Sequence, residues 1–208
     1  MGTDERHGSR AIFLDRDGVI NHNILNPATG CYESPLTEDD FQLVAGVLPA
    51  LRDLQAAGYL LFLVSNQPNY AKGKTTLDTL NAIQRKLERA LFENGILFAA
   101  FYYCRHHPQA ALPELRNCVC RKPSPYFLRK AEADFGVDLR RSWMLGDRAT
   151  DMSCGIAAGT KTILIGEHIA AYARRAGDNK GADYEEGPLP DRRAPGLAAA
   201  AKLILAEA

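Results

Sequence analysis

Three short apolar runs, each cut off by a polar cluster, constrain this chain more than any other feature. Ala11-Ile-Phe-Leu14 runs into Asp15-Arg-Asp-Gly18, Tyr59-Leu-Leu-Phe-Leu-Val64 into Ser65-Asn-Gln67, and Trp143-Met-Leu145 into Gly146-Asp-Arg-Ala-Thr-Asp151. An unbroken apolar run bounded by turn residues is the pattern of a strand buried on both faces, because polar alternation survives only where one face meets water. Phe98–Tyr103 and Lys161–Ile165 supply two more such runs. Helical spacings lie between them: Val47, Leu48, Leu51 and Leu54; then Leu77, Leu80, Ile83, Leu87 and Leu91; a segment from Pro125 to Phe135; and a small helix closing at Ile156–Gly159. Strands alternating with helices predict an α/β fold, a three-layer Rossmann-like parallel sheet with helices on both faces. Ligands of such sheets bind beyond the carboxyl ends of the strands. Asp15, Ser65 and Asp147, each following an apolar run, are therefore expected to meet at one edge.

The 208 residues suit a single domain with a sizeable core, expected over residues 11–208 after a flexible N-terminus at 1–10. The intervals from Asp17 to Ser65 and from Ser65 to Lys122 are filled by the elements already assigned and leave no room for a large cap domain. The site is then roofed by loops alone: residues 22–40, the Pro68 region and a loop at 104–120. The polar stretch from about 172 to 195, with three prolines, reads as a surface excursion before an Ala/Leu helix at 196–208. Lysines and arginines number 25, as do aspartates and glutamates, so net charge argues for neither nucleic acid nor anionic membrane as a partner. No run approaches the roughly 20 apolar residues of a membrane span, and the polar start lacks a signal-peptide core. A cytoplasmic monomer acting on a small molecule is the expectation.

The clustered carboxylates carry the chemistry. An extended segment points Asp15 and Asp17 the same way, and two carboxylates in one crevice repel unless a cation lies between them, which suits Mg²⁺. Phosphoryl transfer needs a nucleophile, a leaving-group acid, a divalent metal and donors to the phosphoryl oxygens. Asp15 is the candidate nucleophile, forming an aspartyl-phosphate. Asp17 is the acid/base that protonates the departing alkoxide and then activates water. Ser65 offers a hydroxyl, and Lys122 a point charge. Asp147 would complete the Mg²⁺ site with Asp15 and the backbone carbonyl of Asp17. Asp151 could orient that site from behind or serve as the acid of a helix N-terminus.

Five cysteines, three of them crowded into one turn-rich stretch, fit metal binding in a reducing compartment better than disulfides. Cys104-Arg-His106 and Cys118-Val-Cys120 make a closed four-ligand set for structural Zn²⁺, with His107 the competing imidazole. The metal would stiffen the loop that leads to Arg121 and Lys122.

Asp15-Arg-Asp-Gly, Ser65-Asn-Gln, Arg121-Lys-Pro and Gly146-Asp-Arg-Ala-Thr-Asp151, in that order, resemble the motifs of the haloacid dehalogenase (HAD) superfamily of Mg²⁺-dependent phosphatases. The resemblance implies the roles just given for Asp15, Asp17, Ser65, Lys122 and Asp147. Tyr102-Tyr-Cys-x-His-His-Pro-Gln109 followed by Cys118-x-Cys-Arg-Lys-Pro123 is further similar to its zinc-bearing members that remove the C7 phosphate of D-glycero-D-manno-heptose 1,7-bisphosphate. Those enzymes feed nucleotide-activated heptose into lipopolysaccharide and other surface polysaccharides. That likeness implies substrate contacts for Arg121 and Arg148, and a substrate rim that includes Asn23, Asn66 and Gln67. Pro68-Asn69-Tyr70 departs from the group's usual sequence there, and the 22–40 loop with Cys31 is longer than usual. Both changes touch the rim and leave histidinol phosphate open as the substrate. A non-catalytic binding protein on the same fold is the alternative from another class.

Overall fold

The computed structural model describes residues 8–27, 30–166 and 187–207. In chain order the elements are β1 (Ala11–Leu14), β2 (Ile24–Asn26), β3 (Cys31–Glu33), α1 (Val47–Ala56), β4 (Leu60–Asn66), α2 (Leu77–Glu93) and β5 (Phe98–Cys104). Then follow α3 (Tyr126–Phe135), β6 (Trp143–Gly146), α4 (Ala149–Ala158), β7 (Lys161–Ile165), β8 (Arg192–Ala194) and α5 (Leu197–Ala206), with short 3-10 turns at Pro113–Leu115 and Leu139–Arg141. Six strands form one sheet in the order β5-β4-β1-β6-β7-β8, every neighbouring pair parallel. Successive strands step outward on one side of β1 and then on the other. That reversal opens a crevice beyond the ends of β1 and β6, where α/β sheets bind ligands. The two tips are tied there by a hydrogen bond from the Asp15 amide to the Leu145 carbonyl, 2.9 Å.

Period-two alternation divides the strand residues between two cores. Ile12, Leu14, Leu61, Leu63, Trp143 and Leu145 pack with residues of α1, α2 and α5, while Ala11, Phe13, Phe62, Val64 and Met144 pack with residues of α3 and α4. Helices thus cover both faces, as the continuous apolar runs require. Each fully buried Leu, Ile or Phe stabilises the fold by about 1.5–3 kcal/mol, so the strand tips are rigid platforms for the polar clusters that follow them.

The expected strands and helices are present, and the structure adds elements. Residues 22–40, read as an unstructured loop, contain the antiparallel hairpin β2–β3. Arg192–Ala194, inside the expected polar excursion, is the sixth strand of the sheet. Ser9, within the segment expected to be flexible, bridges Val137 and exchanges backbone hydrogen bonds with Gly136 and Asp138. The rest of that N-terminal segment, residues 1–7, and the excursion's 172–186 lie outside the described residues.

No large cap domain is inserted among the described residues. The loop after β4 instead joins the other two rim segments. Lys74 Nζ lies 2.7 Å from Glu33 Oε2 on the hairpin, and the Thr75 hydroxyl donates to the Leu36 carbonyl at 3.1 Å. The Ala111 amide, in the loop after β5, donates to Ala71 O at 2.9 Å. No helix among the described residues is long and apolar enough to cross a membrane.

Candidate active site

The tips of β1, β4 and β6 meet around one buried lysine. Lys122 Nζ lies 3.0 Å from Asp15 Oδ1 and 2.6 Å from Asp151 Oδ1, and donates to the Val64 carbonyl at 2.7 Å. Burial opposes its charge, but Asp15 and Asp151 outweigh that and hold its pKa above the ordinary lysine value. Asn66 braces the segment that carries it. Its Oδ1 accepts from the Lys122 amide and its Nδ2 donates to the Lys122 carbonyl, both at 3.1 Å.

Asp15, Asp147 and Asp151 each offer a carboxylate oxygen within 4.8 Å of the others. Asp151 occupies the third position of α4, where its Oδ2 accepts the Arg148 amide at 3.0 Å. It is the acid of a helix start and also lies beside Asp15 and Asp147. Two glycines permit the close packing. A Cβ on Gly146 would stand 2.2 Å from Asp151 Cβ, and one on Gly18, whose φ is +85°, would stand 2.2 Å from Asp147 Oδ2.

Electrostatically the cluster is incomplete. Burial, with like charge from Asp15, pushes Asp147 up to about 7 and Asp151 up to about 6. Asp147 Oδ2 accepts from Asn23 Nδ2 at 3.2 Å, but its Oδ1 is buried and accepts no hydrogen bond among the described residues. Three carboxylates face the Lys122 ammonium and, 3.8 Å from Asp147 Oδ1, the Arg148 guanidinium, which leaves an excess of negative charge that a cation would neutralise. An all-oxygen donor set of this kind suits a hard ion.

Asp17 stands apart from that cluster. The strand ends at Leu14, so alternation does not carry through to Asp17, and its carboxylate takes partners different from those of Asp15. It accepts from Arg16 Nε at 3.1 Å, Asn21 Nδ2 at 2.9 Å and Gln67 Nε2 at 2.6 Å. Burial would raise its pKa; the Arg16 guanidinium and the bonds from Asn21 and Gln67 outweigh burial and hold it below the usual carboxylate range. Gln67 Nε2 also donates to Ser65 Oγ at 3.0 Å. The sequence reading passed over Arg16 and Asn21. The available signal was an arginine set between two aspartates, which must either reach water or pair.

A second cluster follows β5. Cys104, His106, Cys118 and Cys120 each bring one ligand atom within 4.8 Å of the rest, and none of the described cysteines forms a disulfide. Sγ of Cys104 lies 3.6 Å from Sγ of Cys118, and His106 Nδ1 lies 3.8 Å from both Cys104 and Cys120. Tetrahedral thiolates at about 2.3 Å from a zinc ion stand about 3.7 Å apart, so the spacing fits. Burial raises the pKa of the Cys104 and Cys120 thiols, whereas at Cys118 the backbone N–H groups of Cys120 and Arg121 outweigh burial and lower it. His107 is outside this group, and its Nδ1 accepts the Gln109 amide at 3.1 Å. At the rim, Arg121 Nη1 donates to His106 O at 3.4 Å, and Arg148 Nε lies 3.8 Å from Asp147 Oδ1.

The chain is 36% identical over 174 residues to a D-glycero-beta-D-manno-heptose-1,7-bisphosphate 7-phosphatase of Salmonella typhi, covering 81% of this chain and 87% of that protein. This chain belongs to the HAD-like phosphatases. A family model described as HAD-hyrolase-like also matches residues 119–184. A Vibrio cholerae protein of the same name as the Salmonella one is 37% identical over 158 residues, 74% of this chain and 80% of the relative. Among solved structures, the D,D-heptose 1,7-bisphosphate phosphatase of B. bronchiseptica, complexed with magnesium and phosphate, superposes with a TM-score of 0.76 at 30% identity, covering 96% of this chain and 99% of that one.

Proposed function

We propose that this phosphatase removes the C7 phosphate of D-glycero-D-manno-heptose 1,7-bisphosphate, in the cytoplasm and as one catalytic domain over residues 11–208, upstream of nucleotide-activated heptose. The observation that carries the reaction type is the convergence of Asp15, Lys122, Asp147 and Asp151 at the strand-order reversal. The substrate rests on what the similar proteins are named for. In this reading Asp15 attacks phosphorus and the bond to the leaving oxygen breaks. Asp17 hands that oxygen a proton and then takes one from the water that hydrolyses the aspartyl-phosphate. Asp17 is ionised in the resting site. A phosphoryl dianion bound beside it adds like charge and favours the proton uptake that the first step needs.

Asp15 and Asp147, with the Asp17 backbone carbonyl, are the residues that would hold Mg²⁺, and Asp151 backs them. The buried Asp147 Oδ1, which accepts no hydrogen bond among the described residues, and the excess negative charge of the cluster fit that ion. When bound, Mg²⁺ supplies positive charge against the phosphoryl oxygens. Lys122 restrains Asp15, and Ser65 offers its hydroxyl to a phosphoryl oxygen. The Cys104, His106, Cys118 and Cys120 set would hold a structural Zn²⁺. Arg121 and Arg148, at the rim, would receive the phosphate that stays on the sugar. Asn23, Asn66 and Gln67 act in this reading through Asp147, Lys122 and Asp17 rather than by touching the sugar.

The test is phosphate release from a panel that includes the heptose bisphosphate, heptose 7-phosphate and histidinol phosphate, with Asp15→Asn as control. The bisphosphate should give the highest kcat/KM, and the mutant should be inactive. A preference for histidinol phosphate would replace the substrate, and undiminished turnover by the mutant would remove the mechanism.

A further inference from the structure

We propose that Arg16 and Gln67 are positioning residues for the proton transfer to the leaving group. They fix the plane of the Asp17 carboxylate and tie it to Ser65. The proposal rests on the reading of Asp17 as the acid that serves the departing oxygen.

The geometry is specific. Arg16 is 1% exposed and Gln67 2%, so neither side chain is available to solvent. Arg16 meets Asp17 through two nitrogens, Nε at 3.1 Å from Oδ1 and Nη2 at 3.3 Å from Oδ2, and such a fork sets the plane of a carboxylate. Nη2 also donates to Gln67 Oε1 at 3.0 Å. Gln67 then spends both hydrogens of its amide, on Asp17 Oδ2 at 2.6 Å and on Ser65 Oγ at 3.0 Å. The amide has one workable orientation. Reversed, it would set its oxygen against a carboxylate and its NH₂ against a guanidinium. Both polar atoms of the Gln67 side chain are thus used in joining Arg16, Asp17 and Ser65.

Stability alone is a weak explanation for such a cluster. A buried ion pair gains little over an apolar packing of similar volume, because burial penalises both charges. What the network does secure is a fixed relation between the acid/base on the loop after β1 and the hydroxyl at the end of β4. Proton transfer requires that relation, since an error of about 1 Å in placing a reacting group can cost about 100-fold in rate.

The leaving group separates positioning from general damage. A sugar alkoxide needs the proton from Asp17 as its bond to phosphorus breaks, whereas p-nitrophenolate departs as the anion without one. Because kcat/KM reports the steps up to departure of the leaving group, the ratio of kcat/KM for the heptose bisphosphate to that for p-nitrophenyl phosphate measures acid assistance. Gln67→Met keeps the length of the side chain without its hydrogen bonds, and Arg16→Lys keeps the charge without the fork. Each should lower the ratio about 10- to 100-fold, and Asp17→Asn should lower it at least as far, within the range of about 10²–10⁴ that general acids supply. A merely structural role lowers both substrates together and leaves the ratio where it was. That outcome in Gln67→Met and Arg16→Lys, alongside a reduced ratio in Asp17→Asn, overturns this proposal alone. An unchanged ratio in Asp17→Asn overturns the reading beneath it. Should Gln67→Met not fold, the ratio in Arg16→Lys decides by the same criterion.

Discussion

Asp147→Asn should make the metal-free protein more stable while abolishing its response to Mg²⁺. In the folded protein Asp147 titrates at about 7 against an ordinary value of 3.8, first because it is buried and further because Asp15 and Asp151 lie close. Raised in the folded state, such an acid destabilises the fold wherever the unfolded chain would ionise it. The penalty is absent below about pH 4, grows as pH rises, and is complete above about pH 7. From 3.8 to about 7, at about 1.4 kcal/mol for each pH unit, the full penalty is about 4 kcal/mol. The side chain is 20% exposed and the neighbouring carboxylates share the load, which brings the gain from removing the charge to about 2–3 kcal/mol. For a domain of this size that is a melting-temperature rise of about 5–10 °C. Thermal melts at pH 8 in EDTA and in millimolar MgCl₂ provide the assay. The wild type should melt higher with Mg²⁺ than without it; Asp147→Asn should exceed the wild type in EDTA and show no Mg²⁺ increment. A mutant that melts below the wild type in EDTA and keeps the full increment would refute the charge imbalance from which the cation site was derived.

Other perturbations test the surroundings. Gly146→Ala drives a Cβ to within 2.2 Å of Asp151 and should destabilise the protein by about 1–3 kcal/mol, read as a lowered urea midpoint. Cys118→Ser removes a thiolate from the four-ligand set. Elemental analysis should find bound zinc lost, and KM should rise more than kcat falls, because Arg121 hangs on that loop while Lys122 is braced separately by Asn66. Lys74→Ala breaks a partly exposed pair with Glu33, so it should change stability by less than about 1 kcal/mol while raising KM a few-fold through a looser hairpin.

The sequence made the central strands legible because burial on both faces forces an unbroken apolar run, and the polar residue that ends each run then sits at the crevice. Cys104, His106, Cys118 and Cys120 were legible for a similar reason, since paired ligands at short spacing in a turn-rich stretch have few other uses. The hairpin β2–β3 was not. Its strands are three residues each, Ile24–Asn26 and Cys31–Glu33, and are only partly buried, which leaves no run or alternation to detect. Strand β8 was hidden in the same way: Arg192-Arg-Ala194 is a charged edge strand held by pairing with β7 rather than by its own propensity. At the site the sequence named the residues better than their partners. Asn23, Asn66 and Gln67, expected at the substrate rim, each spend their amide on Asp147, Lys122 or Asp17, contacts set by tertiary packing and invisible in a linear string. The separation of Asp17 from Asp15 went unforeseen because strand periodicity was carried past the residue at which the strand ends.

The central claim is that the Asp15 carboxylate takes the phosphoryl group. The direct measurement is an acid quench of enzyme mixed with excess substrate and Mg²⁺, reduction with borohydride, which converts an acyl-phosphate to homoserine, and mass mapping of the peptide that carries residues 11–16. Homoserine at position 15, formed only with substrate and absent when Mg²⁺ is withheld, is the predicted result. Rapid turnover with Asp15 unmodified at every quench time, or with the phosphoryl group on another side chain, would contradict it.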